Sequence, residues 1–252
     1  MTFDVAPAAY GRFMGRYSEP LAIQFADWAG VEVGQHALDV GCGPGALTAE
    51  LVRRLGPDAV VAIDPSPPFV AAVRERCPDA EVHQGTAEEL PFDDDRFDVA
   101  LAQLVVHFMA NPVTGLASMR RVTRPGGVVA ACVWDHARHT GPLSTFWRAV
   151  RDLDPDAPGE ANMPGVREGQ LITLAEQAGV VDLEPSHLSV DVAFSTFDEW
   201  WEPFTLGVGP AGAYLTGLVP DRVAALRNRC AELIPTAPFE VHATVWCVRG
   251  RA

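Results

Sequence analysis

The chain has 252 residues, 48% of them hydrophobic, which suffices for one large domain with a substantial core. Its 19 Lys and Arg against 33 Asp and Glu give a net charge of −14, and its longest basic runs are the pairs Arg53-Arg54 and Arg120-Arg121; nucleic acid and anionic membranes are therefore disfavoured as partners. The five cysteines form no C-x-x-C or metal-ligand spacing, Met1-Thr-Phe-Asp-Val lacks an export signal, and no apolar run reaches the ~18 residues of a membrane span, which together predict a reduced, cytoplasmic protein.

Tyr10, Phe13, Met14 and Tyr17 recur at i, i+3, i+4 and i+7 and predict a short helix. Ser18 followed by Pro20 predicts a second helix, which Gly30 ends. These helices either cover one edge of a sheet, or Tyr10, Arg16 and Tyr17 fold over a ligand site and close it. The octapeptide Leu38-Asp-Val-Gly-Cys-Gly-Pro-Gly45 comes next, then Ala46–Leu55 with Leu47, Leu51, Val52 and Leu55 at helical spacing. A strand, a glycine turn and a helix in that order present backbone N–H groups to a ligand. Gly41, Gly43 and Ala46 satisfy the dinucleotide fingerprint. Against that reading, the Asp39 charge would repel a pyrophosphate and Pro44 removes an N–H; a carboxylate beside the turn better suits a ligand carrying an ammonium.

Ala59–Asp64 is an apolar run ending in an acid, as in a buried parallel strand. Asp64 follows Gly41 at about the 20-residue distance at which a carboxylate accepts both ribose hydroxyls, whether the ligand is NAD or another adenosine compound. Ser66 and Pro67 open a helix, Ala80–Gln84 is a third strand, and Phe97–Gln103 a fourth. Pro112 opens a helix through Arg124, and Val128–Trp134 is a fifth strand. Further on come helices at Ser144–Leu153 and Arg167–Ala178, an alternating strand at Leu188–Phe194 and a capping box at Thr196–Glu199. Trp200, Trp201 and Phe204 follow it, then a helix at Pro220–Ile234 and a strand at Phe239–Val248.

Asp-x-Gly-x-Gly-x-Gly at Asp39–Gly45, Leu-Pro-Phe at Leu90–Phe92 and Pro-Gly-Gly at Pro125–Gly127 resemble the motifs of class I S-adenosylmethionine-dependent methyltransferases. The flavour is that of the ubiquinone/menaquinone-biosynthesis enzymes. The resemblance covers residues 10–135 well and the rest loosely. It implies a doubly wound, mostly parallel, Rossmann-like sheet of seven strands with an antiparallel last strand and a helical cap. It also implies a single methyltransferase domain over 1–252. Within it, 1–34 would be a helical lid, 35–135 the cofactor core, and 136–252 the sheet completion, with a substrate cap around 195–220.

The implied cofactor is S-adenosylmethionine. Asp39, Gly41, Cys42 and Gly43 would hold its methionine part, Asp64 and Pro65 the ribose, and Thr86 and Ala87 the adenine. Tyr10, Arg16, Tyr17 and Gln103 would enclose it. Thr86 stands where the family commonly has an Asp, so that contact should be weaker. The implied activity is methyl transfer to O, N or C of a small organic molecule, flat and apolar if Trp200, Trp201 and Phe204 line its pocket. His107 is the first candidate for a base or substrate contact; His136 and His139 rank lower, and as a metal pair they lack a third ligand. An NAD-dependent oxidoreductase and a cofactor-binding module without turnover are the alternatives.

Overall fold

The computed structural model describes residues 6–252, so the reading of Met1–Val5 lies outside the described residues. The chain enters through α1 (Pro7–Tyr10), a π turn at Gly11–Gly15 and α2 (Arg16–Ala29). These form one continuous helical path, not the two helices predicted. Ser18 caps nothing, and Pro20 lies inside α2, where it forfeits one hydrogen bond without ending the helix. Gly30 at φ +75° closes α2 as expected.

Next come β1 (Ala37–Val40), α3 (Ala46–Leu55), β2 (Val60–Asp64), α4 (Pro67–Arg76), β3 (Glu81–Gln84) and β4 (Phe97–Gln103). They are followed by α5 (Pro112–Val122), β5 (Thr123–Trp134), α6 (Ser144–Leu153), α7 (Gln170–Gln177) and β6 (Val181–Phe194). The chain ends with α8 (Phe197–Trp201), α9 (Gly209–Thr216), α10 (Pro220–Leu233) and β7 (Phe239–Arg251). The seven strands lie in the order β3-β2-β1-β4-β5-β7-β6, parallel except for β7, which is antiparallel to both β5 and β6. The implied fold is the observed one.

The central strands are mostly apolar because both faces are covered, with the acids and amide Asp39, Asp64 and Gln103 near their carboxyl ends. Along β4, Val99 and Leu101 pack with α2, α3 and α6, while Ala100 and Ala102 pack with α5 and α7. Along β5, Ala130, Cys132 and Trp134 take the first side and Val129, Ala131 and Val133 the second. The strand order reverses between β1 and β4, which opens a crevice at the carboxyl edge of the sheet. β1 ends there at Val40, just before Gly41, β2 at Asp64, β4 at Gln103 and β5 at Trp134.

The five cysteines are buried free thiols. Among the described residues no helix is long and apolar enough to cross a membrane.

Candidate active site

The glycine turn is pressed against β2: the N–H groups of Gly41 and Cys42 both donate to the Ile63 carbonyl, at 2.8 and 3.1 Å. Gly41 has φ +68°, and a Cβ there would lie 2.3 Å from Val105 Cγ2, so neither the backbone nor the space admits a side chain. Val105 is brought there by Leu104, whose φ of +63° turns the chain sharply off β4. A Cβ on Gly43 would meet nothing within 4 Å, so that glycine faces open space.

This turn forms one wall of a cavity of about 260 Å³ at the carboxyl edge. Of the predicted site residues, Tyr10, Gly41, Gly43, Asp64, Pro65, Thr86, Ala87, Gln103 and His107 line it. A side recess of about 30 Å³ opens against Ser18, Asp39, Cys42 and Gln103. Asp39 is buried there, one carboxylate oxygen accepting the Thr48 hydroxyl at 2.6 Å and the other, Oδ1, unpartnered. Ser18 Oγ and Gln103 Oε1 are also buried without partners, while the Gln103 amide donates to the Ser18 carbonyl and ties α2 to β4. Three buried acceptors without donors call for a ligand with several N–H groups. Burial pushes the Asp39 carboxyl up to about 7; the Thr48 hydrogen bond opposes this and the Asp64 charge adds to it.

At the opposite wall the Asp64 carboxylate is fixed by the N–H of Gly43 at 2.9 Å and that of Ser66 at 2.8 Å. Burial raises its pKa, and these two donors offset part of the rise. Each oxygen keeps a lone pair for a further donor. Tyr10 closes this side, its ring edge-on to Phe69 at 5.3 Å.

Two predicted contacts do not reach the cavity. Arg16 turns away: it donates to the Ala193 carbonyl at 2.9 Å, pairs with Glu199 at 2.8 Å and covers the Phe194 ring. Tyr17 is buried between Trp134 and Phe194. The π turn before them is the physical reason, because its extra residue per turn rotates α2 out of the phase that Tyr10, Phe13 and Met14 establish. From the N-terminal segment, Tyr10, Phe13 and Met14 line the cavity.

The aromatic segment after β6 is likewise not a pocket wall. Trp200, Trp201 and Phe204 are core, with Phe204 stacked on Phe146 at 4.6 Å. From that segment Val208, Gly209 and Pro210 line the cavity instead.

The far end of the cavity joins His107, the first candidate in the sequence, to His136, which ranked lower, and to Glu160, which the sequence did not mark. His107 is buried with Nδ1 unpartnered, its ring 6.1 Å from that of His136. Burial keeps both neutral: His107 is pushed well down, and His136 to about 4. Glu160, from the loop after α6, is buried beside them with its Oε1 4.0 Å from His136 Nε2. Its other oxygen accepts the Trp147 indole N–H at 2.6 Å, and burial raises its carboxyl to about 7. His139 is directed at Arg151, away from the cavity. Among the described residues no group of three His, Cys, Asp or Glu could hold a metal. Glu160 gave no signal in the sequence because its loop carries no periodicity; the indole partner that marks it lies 13 residues away.

Comparison with known proteins agrees with this geometry. A methyltransferase-domain family model matches residues 38–131. A trans-aconitate 2-methyltransferase of Methylobacterium radiotolerans is 31% identical over 75% of this chain and 71% of its own length. An uncharacterized methyltransferase of Mycobacterium tuberculosis is 38% identical over 54% of this chain, which spans about half (52%) of that relative. An N-methyltransferase of Haemonchus contortus, solved with phosphomonomethylethanolamine and S-adenosylhomocysteine, shares the fold with a TM-score of 0.59 and 16% identity, over 97% of this chain and 56% of its own. With its glycine turn, its strand order and these relatives, the chain belongs to the class I S-adenosylmethionine-dependent methyltransferases.

Proposed function

We propose that the chain transfers a methyl group from S-adenosylmethionine to O, N or C of a small organic molecule. The observation that carries this is the recess at Asp39, where a buried carboxylate oxygen and two further acceptors have no donor. An α-ammonium supplies the missing N–H groups, and its charge offsets the burial of Asp39. Gly41, Cys42 and Gly43 then flank the methionine part, Asp64 and Pro65 the ribose, and Thr86 with the Ala87 N–H the adenine. Tyr10 and Gln103 enclose the ligand, and His107 meets the acceptor.

When bound, the sulfonium supplies a methyl that already carries its leaving group. The protein's task is alignment, which is worth ~7–11 kcal/mol when two reactants are held in line. The walls at the acceptor end are Phe13, Met14, Phe108, Leu143, Val208 and Pro210, which favour an apolar molecule. Among the described residues no Lys or Arg lines the cavity, so the carboxylates of trans-aconitate would find no cation there.

A melting experiment tests the reading: S-adenosylhomocysteine should raise the melting temperature and NAD should not. The reverse pattern would replace the methyltransferase with a nicotinamide enzyme. Methyl transfer to any member of a broad acceptor panel separates an enzyme from a module that only binds the cofactor.

A further inference from the structure

The acceptor end carries His107, His136 and Glu160 among apolar walls, and the spacing of the last two is informative. Glu160 Oε1 and His136 Nε2 stand 4.0 Å apart, too far for a hydrogen bond between them. A single oxygen atom placed about 2.8 Å from each fits that gap. Trp147 fixes the other Glu160 oxygen, so Oε1 alone is left to turn to a ligand. Resting on the methyltransferase reading, we propose that the acceptor is an apolar molecule bearing an ionisable hydroxyl, phenolic or enolic, seated between His136 Nε2 and Glu160 Oε1, and that Glu160 is the general base.

In the step, the acceptor O–H bond breaks and its proton passes to Glu160 Oε1. The oxygen pair forms the new C–O bond, and the C–S bond breaks with its pair staying on sulfur. The products are a methyl ether, S-adenosylhomocysteine and protonated Glu160, which then returns its proton to solvent.

Burial supports this division of labour. A carboxyl raised to about 7 is a base poised near neutral pH, whereas His136, held near 4, donates or accepts a hydrogen bond but is the weaker proton acceptor. His107, just after β4, faces this pair, with Asp135 and His139 beside His136 and Arg151 beyond His139.

The probes are para-cresol, whose own hydroxyl stays protonated through the neutral range, and its methyl ether para-methylanisole, which lacks the proton. With S-adenosylhomocysteine present, calorimetry should give the phenol at least about tenfold tighter binding than the ether. Glu160→Gln keeps a partner for Trp147, and His136→Phe keeps the ring volume; each should bring the two affinities within about threefold. Methylation of the phenol should rise through about pH 7 in the native protein and lose that limb in Glu160→Gln. Equal affinities in the native protein, no phenol binding at millimolar concentration, or a preference surviving both variants would overturn the proposal. A melting scan with S-adenosylhomocysteine accompanies each variant. Lack of stabilisation of the native protein would instead remove the cofactor reading, and a stabilised variant is a folded one.

Discussion

Asp39 offers the sharpest test of the cofactor recess, because it opposes stability to function. Its carboxyl is pushed from an ordinary 3.8 to about 7 by burial, with one oxygen held by Thr48 and the other unpartnered. A carboxyl raised in the folded state destabilises the fold as pH rises. Below about pH 4 both states are protonated and there is no penalty. Between about pH 4 and pH 7 only the unfolded chain gives up the proton, so stability falls by up to ~1.4 kcal/mol per pH unit. Across that window the penalty reaches at most about 4 kcal/mol, and it stays constant above it.

Asp39→Asn removes the penalty while its side-chain oxygen can still accept from Thr48. In urea titrations the variant should therefore be no more stable than the native protein at about pH 4 and several kcal/mol more stable at about pH 8. S-adenosylhomocysteine binding should change in the opposite sense. Losing a charge-assisted bond to the ammonium costs ~1.5–3 kcal/mol, about 10- to 100-fold in Kd by calorimetry. In the native protein the affinity should also fall by up to about tenfold per unit below about pH 7, as Asp39 takes up a proton that the ammonium must displace. A stability difference flat across this pH range would show that Asp39 ionises as though exposed. Unchanged affinity in the variant would move the ammonium out of the recess.

Three further outcomes follow from the same geometry. Asp64→Ala should weaken S-adenosylhomocysteine binding by ~1.5–3 kcal/mol in calorimetry, and an unaltered Kd would take the ribose away from Asp64. Gly41→Ala should lower the urea midpoint sharply, since the methyl collides with Val105 and φ is +68°. Adding Val105→Ala should relieve the collision but not the dihedral strain, so complete recovery would contradict the strain. Arg16→Ala should leave S-adenosylhomocysteine affinity within about twofold while slightly lowering the urea midpoint, because Arg16 fastens α2 to β6 and to Glu199. An affinity loss beyond about tenfold would return Arg16 to the cavity.

What the sequence reveals follows how locally each feature is encoded. The glycine turn, the acids ending β1 and β2 and the apolar strands are written in consecutive residues, and both fold and family were legible there. The N-terminal wall of the cavity was half legible. Tyr10, Phe13 and Met14 reach the cavity as the periodicity implies, but one π turn rotates Arg16 and Tyr17 away, and no residue in Gly11–Gly15 announces it. Trp200, Trp201 and Phe204 illustrate the reverse limit. Aromatic residues after a strand suit a pocket and a core equally, and the stack on Phe146 on α6 decides for the core. Thr196 does cap α8, but Glu199 closes the motif on the Ser195 N–H and also holds Arg16, a long-range pairing that local spacing cannot express.

The same distinction separates the two ends of the cavity. The end at Asp39 and Asp64 is built from strand termini that the topology must bring together, so its acids can be read in order along the chain. The end at His107, His136 and Glu160 joins two strand termini to a loop fixed through the Trp147 indole on α6. Its members share no spacing and meet only because the loop after α6 folds back over the sheet edge. Physical demands divide in the same way. A common cofactor requires the same acids at the same strand ends, whereas the acceptor is met by groups that can be replaced without disturbing the sheet. Acceptor choice in such a fold should therefore follow the loop that carries Glu160: exchanging residues 154–165 for another sequence should alter which hydroxyl compounds are methylated while leaving the Kd for S-adenosylhomocysteine within about threefold. A parallel loss of cofactor affinity would mean that the two ends are not separable and that sheet and loop do not divide the two tasks.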